Sequence, residues 1–299
     1  MLDTIQGTRT VTRGGLTARR GRLVMLGRTA RRSPLGALGL VLILVLLFAG
    51  VFAPVITQYE VNEFAGLPNE TPNSTFWFGT DKFGQDLFSR VVFGARISLQ
   101  VSFLSVIGGT VVGLLVGSFS GYKGGWMDTV VQRVVDTLIA FPALILLLMI
   151  VRLLDPSLRN VIIVITIVII PGVARVVRGA ALAERNNQYI EAAQALGATD
   201  LRILLRHIIP NMLPLAIVIS TTLLGTAILA EASLSFLGLG VPPPNPSWGA
   251  DINTARNSFP INIAQAFFPG LAITLTVLGF NLLGDGLRDV LDPRLRGSS

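Results

Sequence analysis

Residues 35–55 of the chain read LGALGLVLILVLLFAGVFAPV, a run without a single charged side chain. Fourteen of these residues are Leu, Val, Ile or Phe. At roughly −0.3 to −0.6 kcal/mol for each of them, insertion of the run into a bilayer is favourable by about 6 kcal/mol. A helix needs about 20 predominantly apolar residues to cross the hydrocarbon core. The run is therefore predicted to form a transmembrane helix.

The rest of the chain has the same apolar character. Hydrophobic residues make up 51% of its 299 residues, charged residues make up 14%, and the mean hydropathy is +0.66. These values exclude an ordinary soluble domain. We predict an all-α polytopic membrane protein with six transmembrane helices, at residues 35–55, 97–119, 130–151, 160–177, 212–232 and 265–287.

The distribution of Lys and Arg predicts the orientation. If the amino terminus is cytoplasmic, 17 of the 24 basic residues fall in cytoplasmic segments. The positive-inside rule therefore places both the N and C termini in the cytoplasm. The same bias accounts for the net charge of +7 through topology and contact with anionic membrane lipid, so a nucleic acid partner is not expected.

Composition also limits the chemistry of the chain. It contains no cysteine and a single histidine, His207, which excludes thiol catalysis, Cys-ligated metals and a His-rich metal site. No Gly-x-x-x-x-Gly-Lys-Ser/Thr loop occurs, so ATP is not expected to bind this chain through such a loop. We expect no catalytic residue and no bound metal or cofactor.

The predicted spans divide the chain into five regions. We expect a cytoplasmic tail at 1–34, the first span at 35–55, an external segment at 56–96, a core of five spans at 97–290, and a cytoplasmic tail at 291–299. In the external segment, apolar residues from Phe83 to Val92 recur at helical spacing after the N-cap types Thr80 and Asp81, and Asp86 can pair with Arg90. This pattern predicts an amphipathic helix at the membrane interface.

Glycine and proline mark features within the spans. Gly109, Gly113 and Gly117 share one face of the second span, which lets another helix approach closely. That face is predicted to pack against a neighbour, with a sliding surface as the alternative. Pro142 and Pro171 each remove a backbone hydrogen bond from the third and fourth spans and are predicted to kink them.

The cytoplasmic loop 179–211 contains the stretch Glu191-Ala192-Ala193-Gln194-Ala195-Leu196-Gly197. A two-turn helix ending at Gly197 is predicted, followed by a second helix that Thr199 or Asp200 caps and Pro210 closes before the fifth span. Its small alanines permit close approach to a groove on another protein, and Glu191 offers a charge to the rim of that groove.

The spacing of this loop resembles the cytoplasmic signature of ABC importer permeases, with His207 departing from the general pattern. Other segments are similar to the C-type permeases of the dipeptide, oligopeptide and nickel family, in which Gln85 is a departure. They are Phe78–Asp81 with Gly84, Asp86, Ser89-Arg90, Gly94, Arg96 and Ser98-Leu99; Leu234–Gly240 with Pro242, Pro243, Pro246 and Trp248-Gly249; and Asn281–Asp289 with Asp292-Pro293.

The resemblance implies a type I ABC importer permease fold in a prokaryotic plasma (inner) membrane. It implies as partners a homologous B-type permease, two cytoplasmic ATPase subunits that bind ATP and Mg²⁺, and an extracytoplasmic substrate-binding protein. Residues expected to couple the chain to the ATPases are Glu191, Ala192, Ala193, Gly197, Ala198, His207 and Pro210.

Polar residues near the spans are candidates for the translocation pathway or its gate: Glu231, Arg133, Asp136, Ser220, Thr222 and Thr226. Each also has a structural interpretation. Glu231 can hydrogen-bond with the Ser233–Gly240 segment, Arg133 can pair locally with Asp136, and the hydroxyls can bond to the backbone of their own helix.

The expected function is an ATP-driven importer of di- or oligopeptides, in which this chain forms half of the pathway. The same architecture is compatible with import of nickel complexes, glutathione or oligosaccharides. A second hypothesis is an ion-coupled secondary transporter, although the sequence places few ionisable groups near the middle of the membrane. A third, a structural scaffold, explains neither the cytoplasmic loop nor the prolines.

Overall fold

A computed structural model describes residues 34–256, 258 and 261–291, and every regular element in them is a helix. The predicted tails at 1–34 and 291–299 lie outside the described residues, apart from Pro34 and Leu291 at the helix ends. The helices are α1 (Pro34–Val51), α2 (Ala53–Ile56), α3 (Leu87–Lys123), α4 (Gly125–Ala140), α5 (Ala143–Arg152), α6 (Leu158–Arg185), α7 (Gln188–Ala195), α8 (Asp200–Phe236), α9 (Trp248–Ala255) and α10 (Ala264–Leu291).

Five of these helices are long and apolar enough to cross a membrane: α1, α3, α6, α8 and α10. The sixth candidate is the pair α4 and α5, which meet at an angle of 94°. The prediction of one helix across 130–151 is therefore wrong. Pro142 lacks a backbone donor and disfavours helical backbone at Phe141, which is extended at φ −80° and ψ 136°. The predicted kink is a complete break.

The second span begins earlier than predicted. α3 starts at Leu87 and is continuous with the span, so the separate amphipathic helix in the external segment is wrong. Asp86 is its N-cap and accepts from the Ser89 backbone at 2.8 Å. Asp81 instead stabilises the preceding turn, accepting from the backbone N–H of Phe83 at 2.8 Å. The external segment therefore folds as a loop up to Asp86.

The expected Asp86–Arg90 pair is also replaced. Arg90 donates from Nε to Asp251 of α9 at 2.9 Å and from Nη1 to Gln85 at 2.6 Å. Trp248, which is fully buried, donates from its indole nitrogen to the carbonyl of Val91 at 2.9 Å. These contacts attach α9 to the start of α3 on the predicted external side.

The glycines of α3 form its contact with α6. A methyl group at Gly109 would lie 2.6 Å from a side-chain carbon of Ile169, and one at Gly113 would lie 2.7 Å from Cβ of Val173. Gly117 and Gly121 continue this glycine seam toward the end of the helix. Predicted packing along this face is confirmed, because no side chain larger than hydrogen fits there. Pro171 is buried within α6 and does not end it.

Substitution in the glycine seam tests this packing. We expect Gly113→Ala to lower the free energy of unfolding by about 1–3 kcal/mol through overpacking against Val173. Gly172→Ala is the matched control, since its methyl group would meet no atom within 4 Å. Thermal unfolding of the detergent-purified proteins measures both. Equal melting temperatures for the two variants would contradict the role of the seam.

Candidate coupling site

The loop between α6 and α8 contains a short helix with a defined end. α7 ends at Ala195, and Gly197 follows at φ +79°, a conformation that favours glycine. The Gly197 N–H donates to Gln194 at 2.9 Å, and the Ala198 N–H donates to Ala193 at 3.0 Å. This pair of bonds is a Schellman motif, which terminates the helix and turns the chain toward α8.

The two faces of α7 differ in exposure. Ile190 is fully buried, and Ala193 and Ala198 are half-buried against the hydrophobic core. The opposite face is exposed and forms what we call the coupling surface: Glu191, Ala192, Gln194, Ala195 and Leu196. Ala192 and Ala195 therefore face outward, whereas Ala193 positions the helix.

The sequence did not predict two exposed leucines here, Leu196 of the coupling surface and Leu201 beyond it. Leu196 is 88% exposed and Leu201 is 64% exposed. Burying either side chain against another protein would contribute roughly 1.5–3 kcal/mol to the free energy of binding. This surface is therefore suited to contact with another protein. Their position on both sides of Gly197 is the signal that could have identified them, because a glycine turn directs adjacent apolar residues outward.

One anchor joins α7 to the ends of two spans. The Tyr189 hydroxyl donates to the Glu184 carboxylate on α6. Asn211 on α8 donates to Glu184 at 3.0 Å and to the Tyr189 hydroxyl oxygen at 2.9 Å. Partial burial and the neighbouring carboxylate raise the pKa of Tyr189 above its usual value, and the hydroxyl is a donor at neutral pH even without this shift. His207 contributes a ring whose centre lies 5.9 Å from that of Tyr189.

A second anchor joins the start of α8 to the end of α3. Asp200 accepts from the Tyr122 hydroxyl at 2.9 Å and from the Lys123 ammonium group at 2.5 Å. Arg185 at the end of α6 donates to the Lys123 carbonyl at 3.3 Å. Side-chain contacts therefore connect the loop to α3, α6 and α8.

The structure changes the predicted end of the second loop helix. Thr199 is its N-cap, accepting from the Arg202 backbone at 3.4 Å, but Pro210 does not close it. Residues Leu204–Ile208 form a π-helical turn, and the helix continues through Pro210 to Phe236. A widened turn moves carbonyls away from the proline ring, which relieves the clash that would otherwise end the helix.

Glu231 lies inside the subunit. Its carboxylate has no solvent exposure and accepts from the hydroxyl of Ser98 at 2.8 Å and from that of Ser235 at 2.7 Å. A pathway shared with a second permease would lie on the surface of this chain. The structure therefore favours the structural interpretation of Glu231, with an additional partner on α3.

The predicted local pair between Arg133 and Asp136 is wrong. Asp136 pairs with Arg175 on α6, while Arg133 is exposed one turn earlier on α4. The sequence could not identify this partner, which lies 39 residues further along the chain. Both members of the pair are about half exposed, at 53% for Asp136 and 46% for Arg175.

The three hydroxyl candidates on α8 bond to their own helix. Ser220, Thr222 and Thr226 donate to carbonyls three residues earlier at 2.8, 2.8 and 2.9 Å. Thr222 and Thr226 are exposed and Ser220 is half-buried. A place in the translocation pathway stays a prediction for these residues.

Comparison with known proteins identifies the family of this chain. Residues 109–297 match the family model described as "Binding-protein-dependent transport system inner membrane component". This chain belongs to that family. The matched region includes the glycine seam, both anchors and the coupling surface.

Two relatives of this inner membrane component extend the match over most of its length. It is 43% identical over 272 residues to the glutathione transport system permease protein GsiD of Escherichia coli O6:K15:H31 (strain 536 / UPEC), covering 90% of each chain. It is 42% identical over 269 residues to the dipeptide transport system permease protein DppC of Alkalihalophilus pseudofirmus, covering 89% of this chain and 88% of the relative.

A solved structure supports the fold. An inward-facing conformation of the MetNI methionine ABC transporter matches with a TM-score of 0.56 and 22% identity, covering 68% of this chain and 96% of that one. With the family match and these relatives, the inner membrane component is a multi-pass permease subunit of a binding-protein-dependent transport system, and it is not itself catalytic. This membership sets aside the secondary transporter and the scaffold.

The tyrosine anchor gives a prediction about loop mobility. Tyr189→Phe removes the hydroxyl that joins Glu184 and Asn211. Losing these hydrogen bonds should lower the free energy of local opening by roughly 1 kcal/mol. We therefore expect the backbone amides of residues 188–199 to exchange hydrogen about 5- to 10-fold faster. Hydrogen exchange with mass spectrometry measures this change. Tyr59→Phe on the predicted external side is the control. Unchanged exchange in the loop would contradict the anchor.

Proposed function

We propose that this permease forms half of the translocation pathway of an ATP-driven importer of di- or oligopeptides. Its loop between α6 and α8 passes motion from the ATPases to the spans. The observation that carries the proposal is the exposed coupling surface of α7, held by side chains to three spanning helices. A surface used only for solubility would not need exposed Leu196 and Leu201.

The assembly proposed around this chain contains a homologous B-type permease, two ATPase subunits and an extracytoplasmic binding protein. The positive-inside rule supports a cytoplasmic position for α7, because Arg175, Arg178, Arg185, Arg202 and Arg206 all lie in or next to its loop. It also supports cytoplasmic termini. ATP and Mg²⁺ bind the ATPase subunits.

Movement follows from the two anchors. When an ATPase displaces α7, the Tyr189–Glu184–Asn211 contacts carry the displacement to α6 and α8. The Asp200 contacts carry it to α3. The glycine seam keeps α3 and α6 together, so these helices move as one body against the broken α4–α5 pair. Access to the pathway then changes sides by rotation of packed helices rather than by covalent chemistry in this chain.

The substrate class is proposed from the relatives' names. One relative is named for dipeptide transport and the other for glutathione transport. Glutathione is itself a modified tripeptide, so a short peptide is the chemistry that the two share. Glutathione is the second candidate, and nickel complexes and oligosaccharides remain as alternatives to be tested.

Competition in proteoliposomes tests the substrate class. The complete transporter with its binding protein is expected to take up a labelled dipeptide only with ATP inside the compartment that represents the cytoplasm. Unlabelled di- and tripeptides should suppress uptake, whereas an oligosaccharide or a nickel chelate should not. Suppression by glutathione alone would replace the dipeptide assignment with glutathione.

Thiol crosslinking tests contact with the ATPase. Because the chain has no cysteine, Ala192→Cys introduces a sole thiol on the coupling surface, and we expect it to crosslink to an ATPase subunit in native membranes. Ala193→Cys is the control one residue away, and its half-buried position predicts a lower yield. If the Ala192→Cys variant reacts with a soluble thiol reagent but forms no ATPase adduct, this contact is excluded.

The turn after α7 gives a transport prediction. At φ +79° a β-branched residue is strained by roughly 1–2 kcal/mol, so Gly197→Val should displace Leu196 and reduce ATP-driven uptake at least severalfold. The complex should still assemble, since a side chain at 197 would meet no atom within 4 Å. Gly197→Asn is the control because Asn tolerates positive φ. Equal uptake by the Gly197→Val and Gly197→Asn variants would show that transport does not require this turn.

A further inference from the structure

α4 is attached to the bundle by its polar face. Asp128, Gln132 and Asp136 follow one another at four-residue spacing and face α3 and α6. Trp126 and Val134 on the other side are 71% and 59% exposed. This is the reverse of the α3–α6 contact, in which glycines and aliphatic side chains are buried. α4 is therefore held by charge and hydrogen bonds together with one buried aliphatic side chain, Val135.

Two ion pairs make most of this attachment. Asp128 is bound by both ends of the Arg178 guanidinium group, with Nε at 2.6 Å and Nη2 at 2.5 Å, and it also accepts from the hydroxyl of Ser120. In this inner pair Asp128 is 11% exposed and Arg178 is 31% exposed. The outer pair, Asp136 with Arg175, has one guanidinium contact and is about half exposed.

Both ends of α4 are formed by residues that interrupt a helix. Gly124 precedes it and Gly125 is its first residue, at φ +64° and +62°, and nothing lies within 4 Å of a methyl group placed at Gly125. Phe141 and Pro142 follow it at the 94° bend. Rotation at these two joints can move α4 as a rigid unit, because only a few backbone angles must change.

The first joint adjoins the coupling site. Lys123, which binds Asp200 of α8, is separated from α4 only by the Gly124 joint. Arg175 and Arg178 lie on α6, the helix whose end carries Glu184. Displacement of the coupling surface would thus reach α4 by two routes. One runs through Lys123 and the Gly124 joint, and the other runs along α6 to Arg175 and Arg178.

Separating α4 from α6 differs physically from separating α3 and α6. Opening the glycine seam would expose tightly packed aliphatic surface. Opening the outer ion pair breaks a single guanidinium contact, whereas opening the inner pair would break two and the bond from Ser120. The outer pair is therefore the weakest point of the attachment and the first to open.

We propose that the Asp136–Arg175 pair opens and closes during each transport cycle, so that the Pro142 end of α4 moves away from α6 while α4 pivots at its glycine joint. Asp136 and Arg175 are positioning residues in this proposal, which rests on the proposed importer function. The Asp128–Arg178 pair stays closed and keeps the cytoplasmic half of α4 on the bundle.

Crosslinking in the complete transporter tests the opening. Asp136→Cys combined with Arg175→Cys places two thiols in a chain that has none of its own. With a short reversible thiol crosslinker, we expect ATP with vanadate to change the crosslinking yield about tenfold relative to the nucleotide-free state, within the range of coupling between sites in one protein. A yield that nucleotide does not alter would overturn the proposal.

The crosslinked transporter provides the second readout. Locking positions 136 and 175 together should abolish ATP-driven uptake, and a reducing agent should restore it. Ser105→Cys with Thr166→Cys is the control, because it joins α3 to α6 where the Thr166 hydroxyl lies 3.3 Å from the Ser105 carbonyl and no movement is expected. Normal uptake by the locked 136–175 transporter would also overturn the proposal.

Charge exchange separates this role from contact with substrate. Asp136→Arg and Arg175→Asp should each lower the maximal uptake rate at an unchanged KM, and the double variant should recover it by restoring the pair in the opposite sense. A change confined to KM, without recovery in the double variant, would instead assign the two residues to substrate.

The readouts also separate this proposal from the proposed function. The nucleotide-dependent crosslinking yield needs no transported substrate, so it reports on Asp136 and Arg175 even if the importer carries something other than a peptide. Failure of the unmodified complex to import any peptide would contradict the substrate class alone.

Discussion

The close contact between α3 and α6 is the constraint on which the other features depend. Helices in a bilayer gain no hydrophobic free energy by meeting, because lipid is as apolar as their side chains. Close approach at Gly109, Gly113, Gly117 and Gly121 supplies dispersion contacts instead. With these two helices fixed together, their cytoplasmic ends, Lys123 and Glu184, become fixed points to which the loop around α7 can attach.

The polar contacts fall into two classes that suit different tasks. On the predicted external side, Asp251 and Glu231 are buried, Arg90 binds Asp251, and two serine hydroxyls bind Glu231, so breaking these contacts would leave buried polar groups unpaired. On the predicted cytoplasmic side, Asp200 and Asp136 form pairs that are about half exposed in the isolated subunit. One end of the subunit is therefore held rigidly while the other can rearrange.

Local sequence patterns predicted the elements well, and long-range contacts limited the rest. Apolar length located the spans, and the glycine after α7 located the end of that helix, because both features act within a few residues. Pro142 predicted an interruption but not its 94° angle, which depends on how α4 packs against α6. The partners of Arg90 and Asp136 lie 161 and 39 residues away. Pairing each residue with the nearest opposite charge in the sequence therefore gives the wrong partner in both cases. The exposure of Leu196 likewise required the fold.

The continuity of α8 has a consequence for communication across the membrane. Its 37 residues run from Asp200 through the π-helical turn at Leu204–Ile208 to Phe236, a length of about 55 Å. At one end of α8, Asp200 contacts α3. Near the other end, Glu231 and Ser235 lie beneath the predicted external loops. Thermodynamic coupling is reciprocal. Under the proposed function, the helix that carries nucleotide-driven motion outward would also report events at its outer end to the ATPases, so that arrival of a loaded binding protein is sensed before any substrate has crossed.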